Sequence, residues 1–387
     1  MICNSVNAFE QLRNLVGKFH PPVGRTPVHL HLGEQRLVIP TGILSTIEVD
    51  DGWSGYPPLG GTDGLRKAYN DWLRRRFNFA VERLSDQVLC EPTPGAKQAL
   101  AIVITQAVQR KAPAKGEAPQ VVVPRYSYPT YQAAASAAGA RLLVYDQQAD
   151  LVSDDIAAQL TISEGPVAAI VVCNPDNPTG RVLEEPELRA LMNLAEDWGA
   201  TLIIDECYID LWMDRPPGGA LHLLQEPRSK SQMLISHTLS KRSGAPGLRS
   251  GFLVGDRQAV KAYADYNRVC GVSLARPVCG ISAALWQDEA HVTLLQSSLR
   301  ETWAITDKLM GDVSNYTRPS AGFFLWIPVE DSEDITKKLW HDDGILVMPG
   351  KYLKFGDFDN GEQLRVSLAV PPETLVPSLE RLRSHLG

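Results

Sequence analysis

Short runs of apolar residues, each bounded by turn-forming or polar residues, recur through the middle of the chain. The runs are VVVP at 121–124, RLLVY at 141–145, VAAIVVCNP at 167–175, TLIIDE at 201–206, QMLIS at 232–236 and GFLVG at 251–255. Strands that are buried on both faces lack the alternation of polar and apolar residues. These runs therefore predict buried parallel strands of an internal sheet.

The segment between the third and fourth runs has a helical pattern instead. Leu188, Leu191, Leu194 and Ala195 recur at spacings of three or four residues, and Gly199 supplies a stop at the end of the segment. Strands that alternate with such helices predict a doubly wound α/β layer.

The pattern changes near residue 275. A long helical stretch, 281–311, is followed by the apolar runs AGFFLWIPV, ILVMPG and QLRVSLAV and by a terminal helix, whereas the N-terminal segment is rich in proline and has little periodicity. We therefore predict an N-terminal arm that also contributes to a small domain (1–45), a large domain with a mostly parallel sheet (46–275) and a smaller C-terminal α+β domain (276–387). A length of 387 residues exceeds what one core usually serves.

Composition narrows the class of protein. The formal net charge is -7, and lysine and arginine are scattered rather than collected in a stripe, which argues against a nucleic-acid partner. The six cysteines form no Cys-x-x-Cys pair, so neither a disulfide framework nor a structural zinc site is expected, and a reducing cytoplasm fits best. We find neither a signal-peptide pattern nor an apolar run of about 20 residues, so we do not expect a membrane location.

Polar or aromatic side chains follow the predicted strands. RYSYPTY comes after the first run, NPDNPTG after the third, DECY after the fourth and HTLSK after the fifth. Because open α/β sheets bind ligands at the carboxyl ends of their strands, we expect these segments to line one crevice. Each residue alone has a structural explanation, such as a helix cap for Asp205, a turn for Asn177 or a solvated surface charge for Lys241.

One stretch, SHTLSKRSGAPGLRSGFLVG at 236–255, is unusual in its arrangement. Lys241 follows the hydroxyl residues Thr238 and Ser240, and Arg249 lies eight residues further on in a glycine-rich turn. A lysine used as a nucleophile needs such a setting, because nearby positive charge and burial lower the pKa of its amine.

Five motifs in sequence order resemble one enzyme family. GYPPLGGTDGLRKA, NPDNPTG, DECY, SHTLSKRSGAPGLRSG and LRVSLA span nearly the whole chain and are similar to fold-type I pyridoxal-phosphate enzymes, in particular the class I and II aminotransferases. The resemblance implies the fold of the fold-type I PLP-dependent transferases. It also implies pyridoxal 5′-phosphate as cofactor and a homodimer with shared active sites. The implied reaction moves an amino group between an amino acid and a 2-oxo acid such as 2-oxoglutarate.

The resemblance also implies roles around the cofactor ring. Lys241 would form the imine with the cofactor and carry a proton to and from the substrate, and Asp205 would keep the ring nitrogen protonated. Asn177 and Tyr208 would bond to the 3-hydroxyl group of the ring, and Tyr128 would stack on its face.

The phosphate group of the cofactor requires donors and a cation. Gly95, Ala96 and Lys97 stand at the start of a predicted helix, whose amide groups form an anion site, and Thr238 and Arg249 would complete the phosphate contacts. Gly247 and Gly251 would let the backbone turn closely past the phosphate.

Two further contacts are implied outside this cradle. Tyr56 would reach the phosphate of the neighbouring subunit. Arg365 would hold the substrate carboxylate as a two-point fork, helped by Gly33 and Asn177, because a planar carboxylate suits a guanidinium group.

Finer features resemble one subgroup, the bacterial N-succinyldiaminopimelate aminotransferases of lysine biosynthesis. HTLSKRSGAPGLRSGF, DECYIDLW, WQDEAHV and VMPGKYL carry this resemblance, and the implied donor is N-succinyl-L,L-diaminopimelate. HLGEQRLVIP at 31–40 and VSLARPVCG at 272–280 depart from the pattern. Arg276 and Arg36 in these segments are candidates for contacts with a distal carboxylate, and a solvated or dimer-contact role fits them equally well.

Other reactions of the same cofactor remain open at this stage. Lyases, decarboxylases, cyclases and oxidases share the residues that bind it, and fold alone does not separate these reactions. A non-catalytic relative is a remoter alternative, because Lys241 and Asp205 are both present.

Overall fold

A computed structural model describes residues 8–34, 41–44, 53–84, 86–112, 116–356 and 362–386. The strands are β1 (Val28–His29), β2 (Val88–Thr93), β3 (Gln120–Pro124), β4 (Arg141–Tyr145), β5 (Val167–Cys173), β6 (Thr201–Asp205), β7 (Gln232–Thr238), β8 (Gly251–Asp256), β9 (Phe324–Val329), β10 (Ile345–Leu346), β11 (Met348–Pro349) and β12 (Glu362–Ser367).

Helices connect and cover these strands. They are α1 (Ala8–Val16), α2 (Thr41–Leu44), α3 (Asp63–Phe77), α4 (Ala96–Lys111), α5 (Thr130–Ala137), α6 (Val152–Thr161), α7 (Glu185–Trp198), α8 (Leu239–Arg242), α9 (Arg257–Val269), α10 (Arg276–Gln287), α11 (Ala290–Met310), α12 (Ser332–Lys338) and α13 (Pro372–Ser384). None of these helices is long and apolar enough to cross a membrane.

Within the described ranges, the large sheet has seven strands in the order β2-β8-β7-β6-β5-β3-β4. The five strands β7, β6, β5, β3 and β4 are parallel to one another. This arrangement confirms the predicted α/β fold with a mostly parallel sheet. Consecutive residues of β6 alternate between two cores, since Leu202 and Ile204 belong to one and Ile203 to the other. The continuous apolar runs thus arise from burial on both faces.

One strand direction was predicted wrongly. β8 runs antiparallel to both β2 and β7, and its first residue, Gly251, pairs with Thr238 at the end of β7. Residues 239–250 form only the one-turn helix α8 and a short 3-10 turn, so the chain re-enters the sheet at the edge where it left. A parallel neighbour would require a crossover long enough to return to the opposite edge.

Two further elements differ from the sequence prediction. The pattern did not predict β2, an edge strand whose alternate burial and Pro92 suit the edge of a sheet. The single helical stretch predicted over 281–311 is interrupted between α10 and α11. Asp288 has an extended backbone there, and its carboxylate accepts a hydrogen bond from the His291 amide at 2.9 Å.

A second, smaller sheet with the antiparallel order β11-β12-β9 lies in the C-terminal part of the chain. Two N-terminal elements join this region, since β1 pairs with β10 and α1 packs near Leu346 and Met348. α10 instead shares the core of α3 and the large sheet through Cys279, Leu285 and Trp286. The domain limits at 45 and 275 stay predictions.

Candidate active site

A cavity of about 490 Å³ lies where β3, β5, β6 and β7 end, beside residues of β9 and β12. The predicted residues that line this cavity are Gly33, Ala96, Lys97, Tyr128, Asn177, Asp205, Tyr208, Thr238, Lys241, Arg249 and Arg365. The carboxyl ends of the parallel strands therefore meet around one crevice, as the strand-end argument expected.

Lys241 projects from α8 into this cavity. Its Nζ atom donates a hydrogen bond to the Gly33 carbonyl and lies 5.8 Å from the ring centre of Tyr208 and 5.7 Å from that of Phe323. Burial lowers the pKa of the Lys241 amine below its ordinary value, and the charge of Arg365 acts in the same direction. An amine in this environment gives up its proton more readily than a solvated lysine does.

The Asp205 carboxylate ends β6 and is buried. Its Oδ2 atom accepts a hydrogen bond from the Tyr131 hydroxyl at 2.7 Å, and its Oδ1 atom accepts one from the Cys207 amide at 3.2 Å. Burial raises the pKa of Asp205, although these two bonds and the charge of His237 oppose the rise. A cation placed beside the carboxylate would offset the cost of burying its charge.

A chain of hydrogen bonds joins three predicted residues across the cavity. Arg365 Nη1 donates to Asn177 Oδ1 at 3.2 Å, and Asn177 Nδ2 donates to the Tyr208 hydroxyl at 3.1 Å. The guanidinium group also donates to the His31 carbonyl at 3.1 Å and lies 4.4 Å from the ring centre of Phe324. These contacts fix the plane of the Arg365 fork.

Arg365 is only 6% exposed, and burial lowers the pKa of its guanidinium to about 10. The group is therefore charged at neutral pH. Its Nε atom is buried and has no hydrogen-bond partner among the described residues. Such a group has donor capacity left for an anion in the cavity.

Backbone and side-chain donors meet near the first turn of α4. Arg249 Nη2 donates to the Pro94 carbonyl at 3.2 Å, and a Cβ atom added to Gly95 would lie 2.5 Å from the same nitrogen. The positive φ of 87° at Gly95 favours glycine, and a side chain there would have to displace the Arg249 guanidinium group. The start of α4 and the Arg249 cation together form a corner suited to an anion.

The loop that carries Lys241 and Arg249 is anchored at both ends. Thr238 caps α8 by accepting a hydrogen bond from the Ser240 amide at 3.1 Å, and its hydroxyl donates to the Ser250 carbonyl at 3.1 Å. A Cβ atom at Gly251 would lie 2.4 Å from the His237 carbonyl, so the predicted need for glycine holds there. Gly247 has open space around its Cα, and no close approach requires glycine at that position.

Tyr128 stands at the rim of the cavity with 37% of its surface exposed. The Nζ atom of Lys97 lies 5.5 Å from the centre of the Tyr128 ring. A half-exposed aromatic ring in a cavity offers a face on which a planar ligand can stack.

Three predicted residues lie elsewhere. Tyr56 is 99% exposed, and Arg276 is an exposed residue at the start of α10 that does not line the cavity. Arg36 lies outside the described residues. The predicted contact of Tyr56 is with the phosphate site of a neighbouring subunit. This contact stays a prediction, because the structure contains one chain.

The sequence reasoning did not single out several residues of the cavity. Tyr131 stands three residues after Tyr128 in the quoted segment RYSYPTY, and its direct bond to Asp205 arises because α5 turns it back toward β6. Cys173 and Cys207 also follow the strand-end rule that identified Asp205. Phe324 carries no local signal, because it approaches Arg365 only through the pairing of β9 with β12.

The chain is similar to known proteins over almost its entire length. Residues 31–382 match the family described as aminotransferase class I and II. The 4-dedimethylamino-4-oxo-anhydrotetracycline transaminase of Streptomyces rimosus is 31% identical over 362 residues, which cover 92% of each chain. A probable N-acetyl-LL-diaminopimelate aminotransferase of Bacillus subtilis is 25% identical, covering 97% of this chain and 92% of that one.

Solved structures have the same fold. An aminotransferase of Neisseria meningitidis superposes with a TM-score of 0.89 at 28% identity, covering 99% of this chain and 98% of that one. The N-succinyldiaminopimelate aminotransferase of Mycobacterium tuberculosis superposes with a TM-score of 0.80, covering 98% and 97%, but at 21% identity this likeness shows the shared fold alone.

Proposed function

We propose that the cavity around Lys241 is the catalytic centre of this chain, which belongs to the class I and II aminotransferases. Membership of this family makes the chain a pyridoxal-phosphate-dependent enzyme that acts on amino acids and 2-oxo acids. The observation that carries the proposal is the convergence of a half-buried lysine, a buried carboxylate and a buried arginine on one cavity.

The described residues fit the cofactor. The space that a Cβ atom at Gly95 would fill, with Arg249 and the first turn of α4 beside it, suits a phosphate group. The buried Asp205 carboxylate suits the protonated nitrogen of a pyridine ring, and Tyr128 offers a face for that ring. When bound, pyridoxal 5′-phosphate supplies an electron-withdrawing ring that makes the α-proton of an amino acid acidic.

Lys241 provides both the covalent attachment point and the base. Burial lowers the pKa of its amine, which would favour the neutral form needed to hold the cofactor aldehyde as an imine. Once the substrate amine has displaced it, the freed Nζ atom would accept the α-proton of the substrate and pass that proton on. The Gly33 carbonyl, which accepts its hydrogen bond, holds the amine toward the cavity.

The charges around the cofactor ring depend on three residues, Asp205, Tyr208 and Asn177. The hydrogen bonds from Tyr131 and the Cys207 amide favour the ionised form of Asp205, which stabilises a positive ring nitrogen. The Tyr208 hydroxyl and the Asn177 amide, which are joined by a 3.1 Å hydrogen bond, would hold the hydroxyl oxygen of the cofactor ring and stabilise its negative charge.

Arg365 orients the substrate. Its fork is fixed by Asn177, by the His31 carbonyl and by the Phe324 ring, and it binds the α-carboxylate that all amino-acid donors share. Binding at this point presents the α-carbon to Lys241 and contributes through orientation rather than through chemistry.

N-succinyl-L,L-diaminopimelate stays our candidate donor and 2-oxoglutarate our candidate acceptor. The sequence motifs support this choice, and the curated relatives include a probable N-acetyl-LL-diaminopimelate aminotransferase. The Streptomyces rimosus relative is named for a different compound, 4-dedimethylamino-4-oxo-anhydrotetracycline. Arg276 does not line the cavity, so its predicted contact with a distal carboxylate gains no support from the single chain. The predicted contact of Arg36 falls outside the described residues and stays a prediction.

A panel of amino donors with 2-oxoglutarate, scored for glutamate, tests this function. We expect glutamate to form with N-succinyl-L,L-diaminopimelate and the protein to accumulate the amine form of its cofactor when the acceptor is omitted. A lyase or decarboxylase would instead return the cofactor to its starting form. Turnover of other donors but of no acylated diaminopimelate would refute the substrate while leaving the reaction class intact.

The remaining predictions concern the setting of the enzyme. We propose a homodimer, in which Tyr56 serves the site of the neighbouring subunit. Its side chain and that of Trp53, 99% and 68% exposed in the single chain, are large aromatic surfaces available for such a contact. A cytoplasmic location also stays a proposal.

A further inference from the structure

Two thiols and a carboxylate come together where β5 and β6 end. Among the residues that the structure describes, the Sγ atoms of Cys173 and Cys207 and a carboxylate oxygen of Asp205 lie within 4.8 Å of one another. Cys173, the last residue of β5, pairs with Asp205, the last residue of β6, and Cys207 follows two residues later. The pairing of the strands therefore imposes the cluster.

The cluster opens into the active-site cavity. Cys173, Asp205 and Cys207 all line that cavity, so a small ion reaches them without opening the core. Cysteine thiolates and aspartate carboxylates are both zinc ligands, and sites with three protein ligands keep a water or a substrate in the fourth position of a tetrahedron. Thiolate sulfur selects soft ions such as Zn²⁺ and Cd²⁺ over Mg²⁺ or Ca²⁺.

The surroundings suit such an ion in charge. Two thiolates and a carboxylate around a divalent cation leave one net negative charge, and the protonated amine of Lys241, which lines the same cavity, can balance it. Each carboxylate oxygen of Asp205 accepts one hydrogen bond, from Tyr131 or from the Cys207 amide, and keeps a lone pair for a metal. Such bonds orient the ligands of metal sites.

We propose that Cys173, Asp205 and Cys207 bind a thiophilic divalent cation in the cofactor-free protein, and that this cation and the cofactor exclude each other. Each thiol releases its proton to solvent as its sulfur binds the metal, and no electron is transferred. The exclusion rests on the proposed function, because both ligands use the Asp205 carboxylate. Zn²⁺ or Cd²⁺ would then block the loading of newly made or cofactor-depleted enzyme.

Cadmium titration of the cofactor-free full-length chain tests the site. Thiolate-to-cadmium charge transfer gives an ultraviolet absorption band, and a Cys3→Ser/Cys270→Ser background removes the exposed thiol Cys270 and the N-terminal one. We expect one Cd²⁺ per chain and loss of the band in Cys207→Ser. Cys279→Ser, which removes a buried thiol of α10 outside the cavity, should keep the band.

A band that is absent, or that survives in both Cys207→Ser and Cys173→Ser, overturns the metal site. Circular dichroism and thermal unfolding of each variant show whether it is folded before titration. Tyr131→Phe removes a bond to the metal-binding carboxylate and should weaken Cd²⁺ binding by about 10- to 100-fold. Unchanged Cd²⁺ affinity in Tyr131→Phe would show that Asp205 is not a ligand.

Competition between Cd²⁺ and a cofactor analogue distinguishes a failure of the metal site from a failure of the proposed function. Pyridoxine 5′-phosphate, which has no aldehyde to react with Lys241, should displace Cd²⁺ and abolish the band. If Cd²⁺ does not bind while the cofactor binds normally, the metal site fails and the proposed function stands. If both bind together, the exclusion fails, and with it the placement of the ring nitrogen against Asp205.

Discussion

Replacing Tyr131 with phenylalanine removes one hydroxyl group and the 2.7 Å hydrogen bond that it donates to Asp205. This bond favours the ionised form of the carboxylate, which burial disfavours. Asp205 must be ionised to pair with a protonated ring nitrogen. The substitution therefore makes the ionised state of Asp205 more costly.

The magnitude follows from the kind of bond. A hydrogen bond to a charged group contributes about 1.5–3 kcal/mol, which corresponds to about 10- to 150-fold in an equilibrium constant. We expect Tyr131→Phe to weaken cofactor binding within this range, as measured by absorbance titration of cofactor-free protein. The loss of cofactor affinity should be largest at low pH. It should shrink as pH rises, because Asp205 is then ionised in both the parent protein and Tyr131→Phe.

Tyr145→Phe is the matched control. Tyr145 is also a buried tyrosine of the large domain, but its hydroxyl donates to the Val171 carbonyl at 3.3 Å, away from the cavity. It should lose about 0.5–1.5 kcal/mol of folding stability and keep its cofactor affinity. Equal cofactor affinity in Tyr131→Phe and the parent at every pH, or an equal loss in both variants, would refute the reasoning.

Three other substitutions probe separate parts of the account. Asp205→Asn should fold and lose most of its transaminase activity, because an amide does not stabilise a buried ring charge, and near-parental turnover would assign Asp205 a structural role only. Arg365→Lys should raise KM for amino donors more than it lowers kcat, because one ammonium replaces a two-point fork; an unchanged KM would remove Arg365 from the site. Burial raises the pKa of Asp176 from its ordinary 3.8 to about 6. Between these two pH values the folded protein therefore keeps a proton on Asp176 that the unfolded chain has released. The parent should therefore lose stability relative to Asp176→Asn as pH rises from about 4 to about 6, by up to ~3 kcal/mol in unfolding experiments, and a difference independent of pH would contradict this.

The sequence was sufficient to predict the parallel part of the sheet, because strands such as β5 and β6 are buried on both faces and read as unbroken apolar runs. It was insufficient for the direction of β8, since an apolar run carries no information about strand orientation. The short connection 239–250 contained that information, because a crossover does not fit within it. β2 was missed because an edge strand is only half apolar.

The same division applies to the site. Lys241, Asp205 and Asn177 lie at or shortly after the ends of strands, so strand ends and motif order were enough to predict that they line one crevice. Phe324 and the His31 carbonyl fix Arg365 through contacts between segments far apart in the chain, for which the sequence has no local signal. Arg276 was chosen because a positive charge stands there in a segment that departs from the subgroup pattern, and its exposed position at the start of α10 depends on packing that a motif does not encode.

The central claim is that Lys241 is the catalytic lysine of a pyridoxal-phosphate enzyme. Borohydride reduction of the cofactor-loaded protein, followed by digestion and mass spectrometry, identifies the lysine to which the cofactor is covalently bound. We predict modification of Lys241 alone, and loss of this modification and of glutamate formation in Lys241→Ala. Modification of another lysine, such as Lys97 in the same cavity, with Lys241 left free would contradict the account.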